Sequence, residues 1–213
     1  MTLMLDIAFF LASVVLISMS GVMMPGPVTA VAVAKGRESG RAGALIALGH
    51  GAVEIPLMVL IYLGFAQFFS YEIVRRAIGF AGGLMLGSMG VQMFRARDYI
   101  DLEQRGLSLS SLFSGVATTG ANPYFYLWWA TIGSALVLNS TLFGLTGFFL
   151  FALVHWSSDL FWYLFISQTV YRSRGLWNPK VHRIVYGACS AILIVFGAWF
   201  VYSAASWTVR WWL

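Results

Sequence analysis

Residues 23–28 read MMPGPV, two prolines around one glycine inside an otherwise apolar stretch. Proline has no backbone N–H, and its ring strikes the carbonyl four residues earlier, so the pair ends or kinks any helix that reaches it. The surroundings decide what such a break means. Of 213 residues, 60% are hydrophobic and 10% charged, and the mean hydropathy is +0.81. Soluble domains carry about 25% charged residues. The composition describes an integral membrane protein, and the break falls within its first span.

A membrane-crossing helix needs roughly 20 apolar residues. Six stretches qualify: about 6–34, 42–68, 76–95, 110–137, 141–168 and 183–207. Several exceed what a span requires, and tilt or a break must absorb the excess. In the fourth stretch, residues 107–121 read as a separate short helix, with the span proper beginning after Asn122-Pro123. No Lys or Arg precedes Lys35. A cleaved signal would need a positive start, so the first span is expected to be kept as a helix.

Basic residues sort by loop. Lys35, Arg37 and Arg41 follow span 1; Arg95, Arg97 and Arg105 follow span 3; Arg172, Arg174, Lys180 and Arg183 follow span 5. Arg75, Arg76 and Arg210 fall on the other side. This asymmetry predicts loops 1, 3 and 5 in the cytoplasm and both termini outside. It also accounts for the net charge of +5 without nucleic acid. Trp207, Trp211 and Trp212 sit where an interfacial aromatic belt is expected.

The two halves echo each other. His50 and Glu54 in span 2 correspond to His155 and Asp159 in span 5. Arg76 and Gly90 in span 3 correspond to Arg183 and Gly197 in span 6, and Pro25-Gly26-Pro27 to Asn122-Pro123. Three spans per half place the halves in opposite orientations. The expected fold is therefore all-α, a single transmembrane domain over 1–213. Its six helices form two inverted three-helix repeats, about 1–98 and 107–213, with helices 1 and 4 interrupted.

Broken helices at membrane depth leave backbone groups that must be buried in protein or line a wet cavity. Free N–H groups at the start of a half-helix suit an anion such as a carboxylate. Pro25, Gly26, Pro27, Asn122 and Pro123 are accordingly substrate-site candidates. Glu54 and Asp159 lie deep in apolar runs, where ionisable groups are costly and mark function by default. His50 and Glu54 share a helix face, as do His155 and Asp159. These four are candidates for proton coupling, with Glu54 and Asp159 also for substrate binding; the alternative is hydrogen bonding that only joins helices. Gly79, Gly83 and Gly87, and Gly43, Ala47 and Gly51, recur every four residues and suit close helix packing. Tyr124, Tyr126, Trp128, Trp129, Trp156 and Trp162 read as packing and interface anchors, and Gln92 and Gln168 as weaker polar candidates.

Several activities are disfavoured. Cys189 is the single cysteine, so no internal disulfide or CxxC pair exists. There is no GxxxxGK[ST], no HExxH and no GxSxG. No cofactor or resident metal is expected, and the chain does not read as an enzyme.

Residues 25–65, PGPVTAVAVAKGRESGRAGALIALGHGAVEIPLMVLIYLGF, resemble the LysE/RhtB family of amino-acid exporters. The Pro-Gly-Pro, the basic glycine-containing loop and a span opening on Gly49 with an acid soon after carry the likeness. IGFAGGLMLGSMGVQMF, residues 78–94, resembles the family's third helix, and GANPYFYLWW, residues 120–129, its Asn-Pro motif. The commoner family form has Asn-Pro-Lys, whereas Tyr124 follows Pro123 here. The resemblance implies six helices and ATP-independent export of small solutes such as lysine, arginine, threonine or homoserine. The membrane would be a bacterial or archaeal inner membrane, with an ion gradient as the usual energy source. The expected partners are a small-molecule substrate, an amino acid, and membrane lipid; a homodimer stays open. Two other readings are kept: a divalent-metal exporter using His50, Glu54, His155 and Asp159 as ligands, and a membrane-embedded enzyme or assembly subunit.

Overall fold

The structure, a computed structural model, describes residues 2–24, 26–65, 68, 71–98 and 109–206. Those residues are helical apart from short connections, with no strand among them. The chain begins with α1 (Thr2–Val22), α2 (Pro27–Glu38), α3 (Ala42–Tyr62) and α4 (Glu72–Ala96). It continues with α5 (Ser111–Gly120), α6 (Pro123–Trp128), a π-helical turn (Trp129–Gly133) and α7 (Ser134–Thr141), and closes with α8 (Gly144–Ser173) and α9 (Pro179–Ala205).

Among the described residues, five helical stretches are long and apolar enough to cross a membrane: Met4–Val22, Ala42–Tyr62, Glu72–Arg95, Gly144–Leu176 and Pro179–Ala205. The fourth stretch expected from the sequence, about 110–137, is not one helix but the series α5, α6, π turn and α7. Span 1 is likewise divided, with α1 ending at Val22 and α2 starting at Pro27. Pro25 lies outside the described residues, as do Arg105, Arg210, Trp207, Trp211 and Trp212.

Local chemistry explains the divisions. Pro27 occupies the first position of α2 and Pro123 that of α6, where a missing N–H costs nothing and the fixed φ suits a helix start. Asn122 caps α6, its side-chain oxygen accepting from the Tyr124 N–H at 3.1 Å. Ser110 caps α5 and Asn178 caps α9 in the same way, the latter accepting from Val181 N–H at 2.8 Å.

Packing is by close backbone approach. A Cβ on Gly43 would overlap the Tyr163 carbonyl of α8. One on Gly49 would overlap the Leu112 carbonyl of α5, and one on Gly115 the Ile46 carbonyl of α3. Gly83 of α4 and Gly197 of α9 meet so closely that a Cβ on either would stand 2.6–2.7 Å from the other's carbonyl oxygen. Small residues allow this contact in a membrane, where helices gain little from burying apolar area against each other rather than lipid.

The most extensive packing is α4 against α9, antiparallel. At one end Arg76 Nη1 donates to the Ala204 carbonyl at 2.8 Å; at the other Arg183 Nε meets Asp98 Oδ1 at 2.9 Å. The helices α1 and α2 pack on α8, α5 and α7 on α3, and α3 on α8. The positions expected to be a loop after span 1 include Lys35 and Arg37. They are instead in the last turn of α2, and both are buried.

Candidate functional site

Between the two breaks lies a cavity of about 600 Å³. Its walls come from the end of α1, the start of α2, α3, α5, the α6–π segment, α8 and α9. Gly26, Pro27, His50, Glu54, Asn122, His155 and Asp159 all line it. Pro123 is buried but does not line it.

At the centre, helical spacing on α3 and α8 turns two His–carboxylate pairs toward each other. Glu54 is 1% exposed and Asp159 4%. His50 Nε2 is 3.0 Å from Glu54 Oε1, and His155 Nε2 is 3.2 Å from the same oxygen. Across the cluster, His50 Nε2 is 4.0 Å from Asp159 Oδ1 and His155 Nε2 is 3.7 Å from Asp159 Oδ2. The outer nitrogens are held by hydroxyls: His155 Nδ1 by Ser18 Oγ at 2.6 Å and His50 Nδ1 by Thr119 Oγ1 at 2.8 Å. α1, α3, α5 and α8 thus each contribute to the cluster, through Ser18, His50 and Glu54, Thr119, and His155 and Asp159 respectively.

Two buried carboxylate oxygens, Glu54 Oε2 and Asp159 Oδ2, have no hydrogen-bond partner among the described residues. Among the described residues, no Lys or Arg lines the cavity. Buried carboxylates carry a heavy desolvation cost unless a cation or donors answer them. Besides these side chains the site offers the first amides of α2, at Val28 and Thr29, where a helix start lacks intrahelical acceptors. The remaining wall is aromatic. Trp128 stacks on His155 at 5.4 Å between ring centres, and Trp129 meets it edge-on at 5.0 Å. Phe125 and Tyr163 flank His50 at 5.4 and 5.9 Å.

The profile of the LysE type translocator family matches residues 19–204. The chain belongs to this family. No curated protein and no solved structure matches it. As a LysE type translocator with several membrane-competent helices, it is a multi-pass membrane transporter of amino acids or other small solutes.

In this translocator several site residues are not visible from sequence alone. Ser18 and Thr119 look like ordinary membrane-helix hydroxyls, which commonly bond their own backbone. Trp128 and Trp129, read as packing anchors, do pack, but on a cavity-lining histidine. Trp156 keeps its structural reading: its Nε1–H donates to the Ala47 carbonyl at 3.1 Å, joining α8 to α3. Gln92 and Gln168 do not line the cavity.

Proposed function

We propose that the chain is a secondary exporter, six spans arranged as two inverted repeats, that carries an amino acid or similar small solute out of the cytoplasm of a bacterial or archaeal cell. The observation that carries this reading is the cavity at the two helix breaks, with buried carboxylate oxygens left without hydrogen-bond partners among the described residues. Glu54 and Asp159 hold the substrate's ammonium or accept a coupling proton. His50 and His155 relay that proton, and the first amides of α2 face the carboxylate. Trp128, Trp129 and Phe125 give the side chain an apolar wall. Pro25, Gly26, Pro27, Asn122 and Pro123 serve by keeping the backbone open at this depth.

The repeat is supported by cross-paired contacts. An exchange of halves carries His50–Asp159 onto His155–Glu54, and both pairs meet. It also carries Arg76–Ala204 to within one residue of Arg183–Asp98, and both of those pairs meet. The end of the bundle holding Lys35, Arg37, Arg41, Arg95, Arg97, Arg172, Arg174, Lys180 and Arg183 faces the cytoplasm, by the bias of basic residues. Gradient-driven export needs no nucleotide site, in keeping with a chain that is a transporter rather than an enzyme.

Counterflow in proteoliposomes loaded in turn with amino acids tests the reading. Wild-type protein exchanges at least one of them, and Glu54→Gln reduces that exchange at least about a hundredfold while the protein remains folded. Full exchange by Glu54→Gln would remove Glu54 from the mechanism. No amino-acid exchange by folded wild-type protein would reject the substrate class.

A further inference from the structure

We propose that His50, Glu54, His155 and Asp159 together form a binding site for a divalent transition-metal ion, one that competes with an organic cation for the same place. The inference uses the cavity but not the amino-acid reading, and each can fail without the other.

The donor set comes first. Two imidazoles and two carboxylates suit borderline divalent ions such as Zn²⁺, Co²⁺ or Mn²⁺. Ligand atoms of these types stand about 2.0–2.2 Å from zinc, which separates neighbouring ligands by roughly 3 to 3.5 Å. The four N···O separations are 3.0, 3.2, 3.7 and 4.0 Å. One ligand atom from each of His50, Glu54 and Asp159 lies within 4.8 Å of the others. Coordination by all four requires the two longer separations, both to Asp159, to shorten.

The outer contacts match. A metal-binding histidine usually donates its second ring N–H to an oxygen, which fixes the tautomer and aims the other nitrogen inward. Ser18 Oγ and Thr119 Oγ1 sit at the Nδ1 atoms of His155 and His50, and both Nε2 atoms face the carboxylates. With Nδ1–H donating outward, the lone pairs of both Nε2 atoms and of the two carboxylates face one another across the cluster. Such a set repels itself unless protons or a cation lie between its members. Among the described residues, no Lys or Arg lines the cavity to supply that charge, and Glu54 Oε2 and Asp159 Oδ2 are buried without hydrogen-bond partners. A divalent ion answers both carboxylates at once. The cavity gives it a route to the cluster.

The test is a Co²⁺ titration of purified, tag-free protein in detergent, read from the visible d–d absorption. The expected result is saturation at one equivalent, with the intense bands of a four-coordinate ion, reversed by added Zn²⁺. His50→Gln and His155→Gln each weaken binding at least about tenfold. Ser18→Ala and Thr119→Val, which leave all four ligands in place, weaken it about 10–100-fold, the range for outer partners of metal-bound histidine. The outer pair carries the test if a histidine variant fails to fold. Absence of d–d bands in folded wild type overturns the proposal. So does unchanged binding in a folded His50→Gln/His155→Gln protein, since the ion would then sit elsewhere. Amino-acid counterflow without Co²⁺ binding would leave the exporter reading standing and reject this one; the converse result would do the reverse.

Discussion

The two ends of α2 hold buried polar side chains under opposite conditions. At its start, Gly26 and Pro27 open on the cavity, where Glu54 and Asp159 each present an oxygen without a hydrogen bond. At its end the polar groups are matched. Arg37 hydrogen-bonds His182 Nδ1 and lies over the Trp177 ring, 5.4 Å from its centre. Lys35 Nζ bonds both Glu38 oxygens, at 2.9 and 3.1 Å. Tyr186 donates to the Ala34 carbonyl at 3.2 Å, and Ser167 to the Gly40 carbonyl at 2.9 Å. Buried polar groups that are answered by the protein hold structure; those left unanswered are available to a ligand.

The largest effect should come from closing the seam beside both regions. Gly43→Ala places a methyl on the Tyr163 carbonyl, so α3 and α8 must separate. Overpacking of this kind costs roughly 1–3 kcal/mol or more, and because Tyr163 lines the cavity, transport and thermal stability should fall together. Retention of both would show that the seam yields and would break the comparison. Next is the matched end. Arg37→Met strips a partner from fully buried His182, and a deprived buried group costs about 1–3 kcal/mol. Stability measured by thermal unfolding in detergent should drop. The double variant Arg37→Met/His182→Phe should recover part of the loss, as coupled neighbours do. Additive losses would mean that the pair is not a clamp. Smallest is Tyr186→Phe, which removes one hydroxyl bond to Ala34. About 0.5–1.5 kcal/mol of stability should go, with counterflow unchanged. A transport defect there with stability intact would place the matched end in the mechanism and erase the contrast.

The contrast also marks what can be read along the chain. Glu54, Asp159, His50 and His155 stand out because an ionisable residue in an apolar run is expensive wherever it ends up. Arg37 hides for the converse reason: near a span's end, a basic residue reads as topology, and nothing local reveals that α2 runs on to Glu38 and buries it against α8 and α9. His182 hides with it. Ser18 and Thr119 go unnoticed because a hydroxyl in a membrane helix is cheap and usually satisfied by its own backbone. The fourth span reads as one apolar stretch with a break at Asn122-Pro123. Its second departure, the π turn at Trp129–Gly133, carries no proline to announce it.

Sequence alone determined the membrane class, the two break points and the four costly side chains. Each of these follows from covalent chemistry or transfer energy at a single position: a missing N–H, a fixed φ, a charge among hydrocarbon. Tertiary structure alone decided that the pairs on α3 and α8 share one cluster, that hydroxyls from α1 and α5 hold its histidines, and that α2 is clamped at one end. Those contacts join residues 69 to 145 positions apart. They depend on which small residues let two backbones close on each other, and that is a property of paired surfaces which no single stretch contains.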